Sequence, residues 1–470
     1  MYNYKTNQSL CAFPWIHNYS GPRYVRKLCC TSDDVIGLDK TTEAEFMNSD
    51  IMKQIRLDML AGKKIDVCHN CYHKEANGIE NMRENSFRMG VTEEILQPIF
   101  ENTRPDGTIF NKPSYYDNRT IHCNLQCVSC GPTFSSEHIK LFEKMSPGHI
   151  KKVKVKNPNG GIDRVGNHFT VDKKHEEIFA LEMEEGLTEK RITNIYWAGG
   201  EPFMSPVHWR VMNKMLELRE KPAYTDYIDR IRVHYNTNMT RSMWKGKRIS
   251  EMLKPYKNLY IEGSIDGTHE TFEYTRDGAN WEEVKANWEE FRAAGLDMKI
   301  TSVASGPFIL GFDRYLDYFE QFPNIHIGFH QLMQNHHAGF EFIAESWNTL
   351  DPCFYPAEII VPAIENAINR LKTSPVICRD HGIIDRNIGI LEYYLKDKEE
   401  NKERYSNKEH LIKAKSSCSY RDLFHKTRSL SETLKTSNPE ASAWYESIAI
   451  KKSTNQLQLE KATRIQTHDI

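Results

Sequence analysis

From residue 115 onward the chain sets six short β-type runs apart by segments long enough to form helices. The runs are 115–121, 192–197, 231–235, 259–265, 298–303 and 325–329. They are rich in Ile, Val, Tyr and Phe, whereas the segments 207–219 and 281–294 between them carry helical spacing. Parallel neighbours need a long crossover, so a strand–helix–strand rhythm of this kind predicts an α/β chain with a parallel sheet or barrel. Polar residues collect just after the runs. Cys123, Cys127 and Cys130 follow the first, and Gly199-Gly200-Glu201-Pro202 follows the second. Asn238 follows the third, and Ser264-Ile265-Asp266-Gly267 closes the fourth. The carboxyl ends of parallel strands are where such folds build their sites.

The flanks differ from this core. Residues 1–101 read as a small cysteine-rich N-terminal domain with helices over 48–61 and 92–101. Residues 102–113 are turn-rich and read as a linker. The alternating core spans 114–340. It is interrupted at about 146–175, where a period-two Lys/Val run, an Asn-Pro-Asn-Gly-Gly turn and a second run predict an inserted β-hairpin flap. Residues 341–470 are polar and mostly helical in pattern. No internal repeat is present.

Composition narrows the partners. The formal net charge of -2 gives no global attraction to nucleic acid. No apolar run approaches the roughly 20 residues of a membrane span, and residues 1–10 lack the apolar core of a signal peptide. A cytoplasmic location is expected. The 11 cysteines are odd in number, and eight of them lie within the first 130 residues, which argues against a disulfide framework and for metal binding. Cys353, Cys378 and Cys418 are scattered and read as ordinary thiols.

Cys123-x3-Cys127-x2-Cys130 offers three soft ligands in one loop without a fourth nearby. Three thiolates on a four-iron cluster leave one iron open to an outside molecule. This spacing after a first strand resembles the signature of the radical S-adenosylmethionine (SAM) enzymes, over roughly residues 114–334. The resemblance implies a partial (β/α)6 barrel, a SAM-binding [4Fe–4S] cluster on the three cysteines, and hydrogen abstraction by a 5′-deoxyadenosyl radical. It also gives roles to the other motifs. Gly199, Gly200 and Glu201 are similar to the family's motif for the SAM amino group. Ser264 and Asp266 are similar to its Ser-x-Asp segment, with Asp266 the candidate general base. Asn238 and Arg276 become cofactor contacts, Arg276 toward the SAM carboxylate. One departure is Ser129, where the family usually has an aromatic residue beside adenine; Val128 or Phe134 is left to supply that contact.

A second cysteine group comprises Cys11, the Cys29-Cys30 pair and the Cys68-x2-Cys71 knuckle. Four thiolates can enclose a metal completely, and Cys30 is the expected spare. Zinc suits such a set. The group also resembles the twitch domain, a short form of the SPASM domain, which implies a second, auxiliary [4Fe–4S] cluster on Cys11, Cys29, Cys68 and Cys71. In relatives that module usually follows the barrel; here it precedes it. His326, His330, His336 and His337 lie near the last run as candidate pocket residues.

The expected function is therefore SAM cleavage and hydrogen abstraction from a peptide or protein, with a flavodoxin or ferredoxin as one-electron reductant. A small-molecule or nucleic-acid substrate is the alternative within the family. A non-catalytic zinc or iron–sulfur protein is the alternative outside it.

Overall fold

The alternating runs become strands. In chain order these are β1 His17–Ser20, β2 Arg26–Lys27, β3 Tyr115–Thr120, β4 Lys154–Lys156, β5 Ile162–Val165, β6 Asn194–Gly199, β7 Arg232–Thr237, β8 Met243–Trp244, β9 Lys247–Arg248, β10 Leu259–Ser264, β11 Asp297–Val303 and β12 Ile327–His330. The structure, a computed structural model, describes residues 5–21, 26–32, 42–76, 78, 81–87, 93–131, 134–145, 154–156, 162–165, 173–332, 350–375, 377, 382–400 and 424–448. His336, His337, Cys378, Cys418 and most of the expected flap fall outside the described residues.

Eight strands form one sheet in the order β12-β11-β10-β7-β6-β3-β1-β2. All neighbours are parallel except β2, which runs antiparallel to β1. This is the parallel sheet expected from the strand–helix rhythm, and it is consistent with the partial barrel that the resemblance implies. Burial alternates along the central strands. Val233 and Tyr235 of β7 and Ile261 of β10 pack into the large core. Their neighbours His234, Asn236, Glu262 and Ser264 point to the opposite, inner face.

The covering helices follow from local sequence. The helix Pro206–Arg219 starts on Ser205, whose hydroxyl accepts from His208 N–H at 3.4 Å, and has Pro206 in its first turn. It buries Val207, Val211, Met212, Met215 and Leu218. The helix Trp281–Ala293 is capped by Asn280, which accepts from Glu283 N–H at 3.1 Å, and buries Trp281, Val284, Trp288 and Phe291. Among the described residues no helix is long and apolar enough to cross a membrane.

Both ends of the sheet depart from the sequence-based picture. Residues 102–113, read as a linker, pack against the N-terminal unit. Ile109 is 2% exposed, and a side chain on Gly107 would meet the Lys53 backbone at 2.4 Å. The cysteine-rich unit shares the barrel's sheet. Its β1 pairs with β3 from His17↔Tyr115 to Ser20↔Asn118 and so extends the barrel sheet. The unit keeps its own apolar core of Leu10, Phe13, Trp15, Phe46, Met52, Met59, Leu96 and Phe100. At the far edge, Asn387 of the helix Ile383–Glu400 takes the place of a strand. Its Oδ1 accepts from Phe329 N–H at 2.9 Å, and its Nδ2 donates to Ile327 O at 2.8 Å. The flap is seen as the antiparallel pair β4–β5, a separate two-stranded sheet. The helix Lys173–Thr188 begins inside the span expected for it.

Arg56 ties the N-terminal unit together. It is fully buried and donates to Gly107 O at 2.8 Å, Pro14 O at 2.9 Å and Met47 O at 2.6 Å. Burial pulls its guanidinium down to about 10, still charged at neutral pH. Arg56→Ala leaves three buried carbonyls without donors and is expected to destabilise the protein by about 3 kcal/mol or more, measured by urea unfolding.

Candidate active site

The three cysteines sit on the loop that leaves β3. Several hydrogen bonds set its path. Cys123 N–H donates to Ser136 Oγ at 3.1 Å, and that hydroxyl returns a bond to Cys123 O at 2.9 Å. Ser135 Oγ donates to Leu125 O at 2.8 Å, and His138 Nε2 lies 3.0 Å from Cys127 O. The loop therefore rests on the start of the helix Ser136–Met145. Across it, Gln126 N–H donates to Asp277 O at 2.8 Å and Val128 N–H to Thr275 O at 2.9 Å. These bonds bring the segment after Asp266 against the cysteines.

Cys123 is buried, while Cys127 and Cys130 are half-buried. Burial pushes the Cys123 thiol up to about 12 and raises that of Cys127, the latter partly offset by Arg276. Thiols held that high ionise only when a metal or a cation compensates them.

Gly199 and Gly200 let β6 end tightly against this loop. Gly199 has φ +97°, and a Cβ on Gly200 would lie 2.3 Å from His122 O and 3.1 Å from the Cys123 Cβ. Glu201 is fully buried, and its carboxylate is already engaged. It accepts from Asn238 N–H at 2.8 Å, from Phe203 N–H at 3.1 Å and from the Thr237 hydroxyl at 2.9 Å to both oxygens. It thus ties the end of β6 to the end of β7. Burial pushes its carboxyl up to about 7 against the pull of these donors.

Asn238 places its Nδ2 3.9 Å from Cys123 Sγ. Arg276 pairs with Asp266 at 2.8 Å, and its Nη1 is 4.0 Å from Cys127 Sγ. Asp266 also accepts from Val303 N–H at 2.7 Å. Ser264 ends β10, half-buried. Gly199, Gly200, Glu201, Asn238, Asp266 and Arg276 thus gather around the Cys123–Cys130 loop.

The sequence reading missed the inner-face residues. The His234 ring is stacked between Tyr196 (4.4 Å, 22°) and Tyr260 (4.1 Å, 19°) on the two neighbouring strands. His234 Nε2 is 3.3 Å from Glu262 Oε2, off the line of a hydrogen bond. Burial raises the Glu262 carboxyl, but His234, with His330 and Lys299, outweighs it and holds the group at about 2. The signal was present as period-two alternation along β7 and β10, whose second face is polar. His330 ends β12 beside this group, and His326 lies just before that strand.

The second thiol set lies in the N-terminal unit. Cys11, Cys29, Cys68 and Cys71 line one narrow cavity with Phe13, Leu28, Met59 and Met82. Thr31 Oγ1 stands 3.4 Å from Cys29 Sγ and 3.8 Å from Cys71 Sγ. Cys30 is not part of the lining; it lies beside Arg119 and Asp117 of β3. Among the described residues no three Cys, His, Asp or Glu side chains converge on one point able to hold a single metal ion. Cluster ligands bind separate irons and need not converge. The donor set at the barrel loop is soft, and the buried Arg276 Nε beside it has no hydrogen-bond partner among the described residues. A thiolate-held cluster with an anionic ligand suits both features.

Residues 118–306 match the family model described as the radical SAM superfamily. No curated protein matches the chain. Among solved structures, anSMEcpe with bound AdoMet is similar at 18% identity and TM-score 0.34, over 56% of this chain and 62% of that one. Streptococcus suis SuiB bound to S-adenosylmethionine is similar at 12% identity and TM-score 0.34, over 69% of this chain and 64% of that one. The chain thus spans less than two thirds of the length of these structures.

Glu201 gives the site a pH signature. Its folded value of about 7 lies above the ordinary 4.5, so the folded state keeps a proton that the unfolded chain releases. Its contribution is whole below the ordinary value and is lost as pH rises through the folded one. In the metal-free protein, stability relative to Glu201→Gln is expected to fall between pH 5 and 7, by up to about 1.4 kcal/mol per pH unit, and to level off above. Urea unfolding of both proteins across that range measures it.

Proposed function

We propose that this chain, whose residues 118–306 match the radical SAM superfamily model, cleaves SAM reductively at Cys123, Cys127 and Cys130 and takes a hydrogen atom from a peptide or protein. The observation that carries the reading is the gathering of the three-thiol loop with the ends of β6, β7 and β10. When bound, a [4Fe–4S] cluster and SAM supply one-electron cleavage of the sulfonium bond and a 5′-deoxyadenosyl radical.

The chain's own residues do the rest. Cys123, Cys127 and Cys130 hold three irons and leave one open. Gly199 and Gly200 allow close backbone approach at the end of β6. Glu201 locks β6 to β7, so its support of the SAM amino group works through the backbone it positions as well as through its charge. Arg276 supplies the cation for the SAM carboxylate. Asn238 and Ser264 line the approach from the neighbouring strand ends. Asp266, already paired with Arg276, is the candidate proton acceptor near the reacting centre.

The peptide reading is supported by the β4–β5 hairpin. It is a two-stranded sheet separate from the main one, and such edges recruit extended chains by strand addition. In the N-terminal unit, Cys11, Cys29, Cys68 and Cys71 hold an auxiliary [4Fe–4S] cluster in this reading. Four thiolates on it leave no open iron, so it serves electron transfer or ordering of the unit. A flavodoxin- or ferredoxin-type protein supplies the electron.

The test is the variant with Cys123, Cys127 and Cys130 all replaced by Ala. Reconstituted without oxygen and given dithionite and SAM, it is expected to form no 5′-deoxyadenosine. Undiminished formation overturns the assignment. The same variant is expected to retain about four irons and four sulfides per chain. One zinc without sulfide instead makes the N-terminal unit a structural zinc module.

A further inference from the structure

Two residues from outside the three-cysteine loop point N–H groups at its sulfurs. Arg276 is laid along the loop by the Gln126 and Val128 backbone bonds, with Nη1 4.0 Å from Cys127 Sγ. Its Nη2 is 2.8 Å from Asp266 Oδ2, and the guanidinium is 14% exposed. Asn238 approaches from the other side, with Nδ2 3.9 Å from Cys123 Sγ. Its amide cannot be turned over. Oδ1 accepts from Thr240 N–H at 3.0 Å and from the Thr240 hydroxyl at 2.6 Å, so the NH2 group faces Cys123 and Asn124 Oδ1, the latter at 3.2 Å. Asn238 is held in turn by its backbone bond to Glu201 at 2.8 Å.

We propose that Arg276 and Asn238 are positioning residues that set the reduction potential of the cluster at Cys123, Cys127 and Cys130, with Asp266 as the counterweight to Arg276. This rests on the reading that those cysteines hold a cluster. Reduction adds one electron, and the extra negative charge spreads onto the sulfurs. A guanidinium and an amide N–H beside two of those sulfurs stabilise the reduced form and raise the potential. Asn238 is buried and Arg276 is largely so, where charges are weakly screened. The Asp266 carboxylate cancels part of the Arg276 field, so Arg276 and Asp266 act in opposite directions.

That opposition separates the proposal from a merely structural role. The full-length protein is reconstituted without oxygen and titrated in the absence of SAM. The readout is the paramagnetic signal that the barrel-cysteine triple variant lacks. Arg276→Gln is expected to shift the reduction equilibrium at least tenfold toward the oxidised form, which is about 59 mV for one electron. Asn238→Ala is expected to shift it the same way, about threefold. Asp266→Asn is expected to shift it toward the reduced form. Arg276→Lys keeps the charge and is expected to stay near the wild type.

Wild-type potentials in Arg276→Gln and Asp266→Asn, with iron content retained, overturn the proposal. If Arg276→Gln fails to hold iron, the pair Arg276→Lys and Asp266→Asn decides: no rise in Asp266→Asn overturns it. A wild-type protein that assembles no cluster at the barrel cysteines sinks the underlying reading, and this inference with it.

Discussion

A parallel sheet that stops short of closing leaves two rows of backbone N–H and C=O groups, and the architecture of this chain is largely an answer to that constraint. At one end β3 is covered by β1, a strand drawn from the cysteine-rich unit, with β2 outside it. At the other end β12 is met by the side-chain amide of Asn387, which donates and accepts as a neighbouring strand would. The N-terminal unit and the helix Ile383–Glu400 thus cover the edges of the barrel sheet. Their attachment also explains why residues 102–113 are packed: they carry the chain from the N-terminal core to the start of β3.

With the edges satisfied, the strand ends form a rigid frame for chemistry. Glu201 is central to it. A carboxylate with almost no exposure is costly unless donors surround it, and three groups from two strand ends do so. The tie fixes Asn238, which in turn faces Cys123. The Cys loop is likewise bridged to Thr275 and Asp277, which fixes Arg276 beside Cys127. Each residue facing the cysteine loop is therefore held by a second one whose own bonds are internal, the arrangement that keeps a site in working geometry.

The barrel strands were legible because Ile, Val and Tyr runs between helical segments admit few other folds. The strand expected over 192–197 is observed as Asn194–Gly199, because the ladder to β3 extends to Thr120↔Gly199. The motifs at strand ends were legible for the same reason, since they follow the runs. β1 was not. His-Asn-Tyr-Ser is short, polar and without alternation, yet all four residues are buried, because His17, Asn18 and Ser20 find their surroundings only in the folded unit. His17 Nδ1, for example, lies 3.0 Å from Leu28 O. Asn387 and Arg56 were hidden likewise: each sits in a helix as an ordinary polar residue, and its role is set by carbonyls distant in sequence.

The neighbours Cys29 and Cys30 show what joining the N-terminal unit to the barrel accomplishes. They follow β2 at a turn that Ser32 closes on Cys29, with its hydroxyl donating to Cys29 O at 2.9 Å. Cys29 enters the four-thiol cavity with Cys11, Cys68 and Cys71, whereas Cys30 lies beside Asp117 and Arg119 on the inner side of β3. The same β3 runs directly into the loop of Cys123, Cys127 and Cys130. One stretch of sheet, paired from His17↔Tyr115 to Ser20↔Asn118, therefore lies between the two thiol sets. Their separation is governed by a hydrogen-bonded ladder and not by a linker. The pairing of β1 with β3 therefore places the two thiol sets on one continuous sheet.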